Sequence, residues 1–373
     1  MIALVTIKDK RGVKRFIDFP HKLYEADAHY VPELFVSQQE MLWPGSHPFY
    51  EHSSAQLFLV CNGDKIMGRI AAILNNNHNA YTGNKEGFFG FFDCINQQEI
   101  ADMLLNAASA WLRSKGMENM IGPINLTTND TCGLLVEGFD CPPVIMMPYN
   151  KPYYEHLLVQ YGLRKKTDLF AYRVSKATAN QKAVKLVGKL EERLQTKGIV
   201  IREINMRDFK NEIIKVREVY NKAWDKNLGF VPMTAAEFTH AANSMKLILD
   251  HRFCIVAEKE GKLVGFALGI PDINQIQINI KKGRLFPTGI FKLLLNKKRT
   301  DTLRVLMLGV IEGYRKMGIE ACLYGRIINN AAHTRIRQAE CSWMLEDNYL
   351  MNHAIEQING ELYKRYRIFE KKL

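Results

Sequence analysis

No run of apolar residues in this 373-residue chain approaches the roughly 18 that a membrane-spanning helix needs, so no span is predicted. The start, MIALVTIKDKRG, lacks the leading positive charge and long apolar core of a signal peptide, so the chain reads as unsecreted. Its seven cysteines (Cys61, Cys94, Cys132, Cys141, Cys254, Cys322 and Cys341) are odd in number and contain no C-x-x-C pair. That pattern argues against a disulfide framework or a zinc site and for reduced core thiols in the cytoplasm. Also missing are a basic helix with base-reading polar residues and an aromatic ribonucleoprotein strand, so nucleic-acid binding is not expected.

What is present is an ordinary folded composition, 47% hydrophobic and 24% charged, which excludes disorder, collagen and coiled coil. The length predicts two domains, or three small ones. The formal charge of +12 suits an anionic membrane leaflet or a polyanionic small ligand such as a nucleotide, and equally a lysine-rich solvated surface.

The chain contains a repeat. Residues 55–73, AQLFLVCNGDKIMGRIAAI, and 253–270, FCIVAEKEGKLVGFALGI, each show an apolar strand, a Gly-bearing turn and a second apolar strand. Both runs predict β-hairpins. Lys65-Ile66-Met67-Gly68 recurs 197 residues later as Lys262-Leu263-Val264-Gly265. A strand (Gly87–Phe92) and an amphipathic helix near Gln97–Lys115 follow the first hairpin. A strand (Arg304–Val310) and a helix near Gly318–Ala332 follow the second. Each half then offers a strand and helix, Asn119–Leu126 with Tyr153–Tyr161 and Ala339–Leu345 with Tyr349–Ile358. Closing strands are expected at Leu169–Val174 and Leu362–Phe369. A connector helix within Ser175–Lys197 places the expected boundary near residue 178, giving domains 1–178 and 179–373 of α+β class, each built on a mixed sheet.

In the second half, Val310 ends a strand and a basic turn leads through Tyr314-Arg315-Lys316-Met317-Gly318-Ile319-Glu320 into a helix. A helix start presents unpaired N–H groups and the positive end of the dipole, a natural phosphate site. Gly318 permits close approach, and Arg315 and Lys316 add positive charge. This segment and the element order resemble the GNAT superfamily of N-acetyltransferases. The resemblance implies two tandem folds whose mixed sheet splays around an acyl-CoA. It implies acetyl-CoA or a longer acyl-CoA as co-substrate, no metal, and a cofactor site of Leu308, Gly309, Val310, Arg315, Lys316, Met317, Gly318, Ile319, Glu320 and Asn348. Glu320 departs from the family's usual Gly or Ala.

The first half lacks the signature. After its equivalent strand comes Asp93-Cys94-Ile95-Asn96, with no arginine and no paired glycines, so it reads as a degenerate copy, either scaffold or part of an acceptor site. Family chemistry needs a backbone N–H for the thioester carbonyl, for which Leu308–Val310 fit by alignment, and a base and acid for proton transfer. The resemblance points to Glu346 as base, beside Asp347 and Asn348, which read equally as a helix cap. The family's usual Tyr is Ile355 here, leaving Tyr363 and Tyr366 as acid candidates, of which Tyr366 is preferred. Direct transfer is expected, because Cys322 has the spacing of a core residue.

Two segments stand outside that plan. Trp224, Asn227 and Phe230 lie in a loop stiffened by Gly229 and Pro232, where the family binds its acceptor, and would wall a substrate pocket or anchor a core. Residues 281–299, KKGRLFPTGIFKLLLNKKR, hold seven Lys/Arg and no acid around an apolar centre, as does an interfacial membrane segment or a basic-flanked packed helix. The whole chain resembles bacterial tandem GNAT-like proteins, some linked to lipid N-acylation such as ceramide synthesis. The expectation is an N-acyltransferase acting on a small-molecule or lipid amine, cytoplasmic, with 281–299 touching the inner membrane face. The alternative is a non-catalytic acyl-CoA-binding or membrane-surface-associated protein.

Overall fold

A computed structural model describes residues 1–178, 181–223 and 230–373, apart from the side chains of 181–186. The first stretch of chain runs β1 (Ile2–Thr6), α1 (Lys10–Leu23), α2 (Phe35–Leu42), β2 (Ser54–Asn62) and β3 (Lys65–Leu74). It continues as α3 (Asn76–Thr82), β4 (Glu86–Cys94), α4 (Gln98–Ser114), β5 (Asn119–Gly122), β6 (Leu134–Glu137), α5 (Tyr154–Gln160) and β7 (Arg164–Ser175). Then come α6 (Gln181–Gln195), β8 (Ile199–Glu203), α7 (Phe209–Ala223), α8 (Ala235–Met245), β9 (Cys254–Lys259) and β10 (Lys262–Pro271). The remainder is α9 (Asn274–Gln277), α10 (Gly289–Asn296), β11 (Thr302–Val310), α11 (Ile319–Ala332), β12 (Gln338–Leu345), α12 (Tyr349–Gln357) and β13 (Glu361–Lys372).

The chain groups into two compact units. Unit 1 comprises Met1–Leu169 with Ile276–Leu293 and Lys364–Leu373; unit 2 comprises Phe170–Gln275 and Leu294–Tyr363. In unit 1 the strands pair in the order β1-β2-β3-β4-β5-β13, with β6 also on β13. The hairpin β2–β3 pairs antiparallel across Ser54–Leu74, and β4 joins β5 in parallel. The helix α4 turns Ile100, Leu104, Leu105, Ala108 and Leu112 onto this sheet, against Val60, Ile70 and Phe89. Those positions recur at helical spacing, which is why the segment was legible as amphipathic.

Unit 2 is a three-layer arrangement around β8-β9-β10-β11-β12. Its hairpin β9–β10 is antiparallel and β11 pairs with β12 in parallel. One face buries Leu303, Val310, Ile319, Leu323 and Ile327, carrying α6 and α11; the other buries Phe209, Ile213, Tyr220 and Phe238 of α7 and α8 against Val256 and Phe266.

Several elements were not expected, and two strands show why. The strand expected over Asn119–Leu126 ends at Gly122, because Pro123 has no N–H to continue a ladder. The short β6 went unrecognised because its four residues are too few to show alternation. No helix among the described residues is long and apolar enough to cross a membrane.

Candidate functional site

Unit 2 contains an opening in its own sheet. The parallel pairing of β11 with β12 runs from Thr302↔Gln338 to Val305↔Cys341 and, among the described residues, goes no further. Both strands nevertheless continue for several residues. On the other side β11 stays paired with β10, with a bulge that matches Leu268 to Met307 and Gly269 to Val305. Leu306 is therefore the extra residue, and a bulge bends and twists its strand at that point. Burial follows the same boundary: Thr302–Val305 are buried, whereas Leu306, Met307 and Leu308 are half-buried. A central strand with an unpaired edge can accept an extended ligand that carries its own amide groups.

The opening leads to the turn after β11. Ile311 N–H donates to Val264 O at 3.0 Å and Tyr314 N–H to Ile311 O at 3.2 Å, folding the turn tightly. Gly318 then begins α11 at φ +93°, a conformation that costs a residue with a Cβ roughly 1–2 kcal/mol. No side chain caps this helix start. Its first N–H groups and the dipole make an anion site. Arg315 has a second task here: Nε donates to Val310 O at 3.0 Å and Nη2 to Ala223 O at 2.7 Å, fastening the turn to the end of α7. Lys316 is exposed, Met317 and Glu320 are half-buried and Ile319 is fully buried. Glu320 lies in the first helical turn, where a carboxylate favours the dipole but competes with a bound anion.

Glu346 sits half-buried in the turn after β12. Asn352 Nδ2 braces that turn from below, donating to Leu345 O at 3.0 Å and to Glu346 O at 3.4 Å. Asn348 caps α12, its Oδ1 accepting from Met351 N–H at 3.3 Å, so the capping alternative describes its contact. Ile355 is buried with Tyr172, Val174, Val305 and Cys341. Tyr366 is fully buried and belongs to unit 1, on the part of β13 that pairs with β6, whereas Glu346 belongs to unit 2. Phe230 is a core anchor against Tyr220 and Phe238; Trp224 and Asn227 lie outside the described residues.

The sequence reading missed a buried polar cluster at the root of the opening. Arg304 and Glu340, each 1% exposed, are register partners one step before pairing ends. Ser342 Oγ donates to Glu340 at 2.7 Å, and Tyr363 donates its hydroxyl to the same carboxylate. Arg304 Nε donates to Ser342 Oγ at 3.1 Å and its guanidinium lies 4.9 Å from the centre of the Trp343 ring. Arg173 lies over the Tyr363 ring at 4.1 Å. A charged residue inside each of two apolar strands was the available signal.

No family model matches the chain. It is 35% identical, over 99% of its length and 95% of the other's, to Protein YghO of Escherichia coli (strain K12). It is 32% identical to the bacterial ceramide synthase of Caulobacter vibrioides (strain NA1000 / CB15N), over 100% of this chain and 98% of that one. A solved tandem GNAT protein from the clavulanic acid biosynthesis pathway shares the fold at a TM-score of 0.58 and 11% identity, covering 100% of this chain and 98% of that one. The chain belongs to the family of Protein YghO and the bacterial ceramide synthase, and its fold is that of tandem GNAT proteins. The chain carries two tandem GNAT folds.

The GNAT unit at the start of the chain has the equivalent opening, and fills it. In unit 1, β4 and β5 pair only over Glu86–Phe88 with Asn119–Ile121. The chain then folds back into the gap: Ile124 N–H donates to Phe89 O at 2.8 Å, and Asn125 Oδ1 accepts from Phe91 N–H at 2.8 Å. A Cβ on Gly90 would come within 2.2 Å of Ile124 O, so the plug sits flush on the strand. At the strand's end Asp93 pairs with Arg69 at 2.8 Å and accepts from Tyr24 at 2.8 Å and Tyr154 at 3.1 Å. The equivalent register position in unit 2, opposite Phe266, is Gly309. Asp93→Asn removes the charge that balances buried Arg69 and should destabilise unit 1 by about 3–5 kcal/mol in urea unfolding. CoA affinity measured at low denaturant should not change.

Proposed function

We propose that unit 2 transfers an acyl group from acyl-CoA to the amine of a lipid-related acceptor, by direct attack in a ternary complex. The observation that carries this reading is the β11–β12 opening in line with the uncapped start of α11, set against the plugged opening of unit 1. The pantetheine arm would run along the free edge of Leu306–Val310, with its phosphates toward Gly318 and Ile319 and Lys316 supplying charge. Trp224 and Asn227 remain our proposed acceptor-binding residues, and Asn348 a contact to the arm. A relative named bacterial ceramide synthase favours a lipid amine over a small hydrophilic one.

In the proposed step the acceptor nitrogen forms a bond to the thioester carbonyl carbon and the C–S bond breaks. The nitrogen's proton passes to Glu346 through water, and the CoA sulfur leaves as thiolate and is protonated by solvent. A backbone N–H of β11 would hold the carbonyl oxygen as charge develops on it. A covalent acyl-enzyme is disfavoured at Cys322, whose thiol burial pushes up to about 11 and which packs with Leu323 and Ile327. The nucleophile of such chemistry is the thiolate, and this thiol stays protonated at neutral pH. Cys322→Ala should therefore keep nearly full turnover, and an acyl group trapped on Cys322 in mass spectrometry would sink the direct route.

The test is acceptor-dependent release of CoA thiol from acetyl-CoA and palmitoyl-CoA, with a long-chain amino alcohol as acceptor. Release with palmitoyl-CoA supports the lipid reading. CoA binding without release under any acceptor favours the second reading, a non-catalytic acyl-CoA binder, to which Glu320 and Ile355 give a physical basis.

A further inference from the structure

The segment 281–299 turns the wrong face outward for a helix in water. In α10, Gly289 and Leu293 face inward, while Phe291, Leu294 and Leu295 are 64%, 45% and 77% exposed. Their i, i+3, i+4 spacing puts them on one stripe. Phe286, just before the helix, is 83% exposed. A surface helix in solution shows the opposite pattern.

This exposure is not the fraying of a loose loop, because the stretch 276–293 is built into unit 1. Gln277 Nε2 donates to Pro32 O at 2.9 Å, and Ile280 is buried. Gly283, at φ +62°, lies so close to the backbone of Glu33 that a Cβ would meet Glu33 O at 1.8 Å. Arg284 pairs with Asp18 at 2.9 Å and stacks on the Phe35 ring at 3.4 Å. Held this way, the outer face is a fixed display of large apolar side chains. Around it Lys281, Lys282, Lys292, Lys298 and Arg299 are exposed, and no acidic residue occurs from Ile273 to Thr300.

We propose that this face docks on the surface of an anionic lipid bilayer, with Phe286, Phe291, Leu294 and Leu295 entering the headgroup–acyl boundary and the lysines meeting lipid charge. The charge decides the occupant. A second copy of this chain, itself at +12, would bring like charge to a basic rim, whereas an anionic leaflet brings the complement. A short helix with an apolar stripe and basic flanks lies in the interface plane without spanning it. The proposal stands apart from the catalytic reading, since docking requires no turnover.

The experiment is flotation of the full chain with vesicles of phosphatidylcholine alone or with 30% phosphatidylglycerol, at low and high salt. The expected result is binding to the anionic vesicles only, weakened by salt. The variant Lys281→Gln/Lys282→Gln/Lys298→Gln/Arg299→Gln should bind at least about tenfold more weakly, since each surface cation contributes about fivefold to adsorption on such membranes. Phe291→Ser/Leu295→Ser should lose the binding that persists at high salt, and because both side chains are exposed its thermal midpoint should not fall. Wild-type protein that fails to float, floats equally with neutral vesicles, or binds unchanged in both variants would overturn the proposal. So would a wild-type dimer in solution that Phe291→Ser/Leu295→Ser converts to monomer.

Discussion

Replacing Glu346 by Gln is expected to lower kcat by about 10²–10⁴ while CoA affinity stays within about twofold, the usual cost of losing a positioned base. The reasoning is positional. Glu346 is the first residue beyond β12, the strand that borders the opening, and Asn352 braces its turn through the carbonyls of Leu345 and Glu346. The substitution keeps shape and hydrogen-bonding capacity, so neither that brace nor the helix cap of Asn348 should change. Steady-state thiol release gives kcat and calorimetry gives CoA affinity. A Glu346→Gln enzyme with unimpaired turnover removes the assignment, and one that loses CoA binding in step with activity makes Glu346 a structural residue of the turn.

The largest effect on binding is expected at Gly318. Its φ of +93° makes any side chain strained, although space exists, since a Cβ would only touch Leu190 at 3.4 Å. Gly318→Ala should therefore cost stability by roughly 1–2 kcal/mol through the backbone alone. Gly318→Asp shares that backbone cost, but its carboxylate at the start of α11 interacts favourably with the dipole and recovers about 0.3–1 kcal/mol. The two variants should thus rank one way in stability, Asp at or above Ala, and the opposite way in CoA affinity. There the carboxylate occupies the proposed phosphate site, and a loss of more than about 100-fold is expected against a few-fold for Ala. Paired thermal unfolding and CoA titration separate the two. If Asp and Ala bind CoA equally, the phosphates lie elsewhere.

Much of the scaffold could be read from periodicity. The hairpins at β2–β3 and β9–β10 alternate or run apolar up to a Gly-bearing turn, and α4 repeats its apolar residues every three or four positions. Such patterns are local, and local physics decides them. The interactions that shape the candidate site are not local. Arg304 and Glu340 are 36 positions apart and each looks like a solvated interruption of a strand; only the parallel pairing of β11 and β12 reveals that both are buried. The plug of unit 1 is similarly hidden, because Asn125 in an Ile-Asn-Leu run gives no sign that its side chain will take the Phe91 N–H. Arg315 shows the same limit. Its place in the motif could be read, but its use of two donors on the carbonyls of Val310 and Ala223 depends on where α7 ends.

The membership of Lys364–Leu373 in unit 1 sets a schedule for the nascent chain. β5 pairs with Phe369–Lys372, Lys364 is buried on the carbonyls of Gly138 and Cys141, and Arg367 meets the buried Asp168 at 2.8 Å. Lys364, Arg367 and Phe369–Lys372 do not yet exist when the ribosome finishes residue 169. At about 5–20 residues per second, roughly 10–40 s of further synthesis must pass before the first-made unit can close its sheet. Through that interval the inner edge of β5 stays open, and the cell must shelter it from other strands.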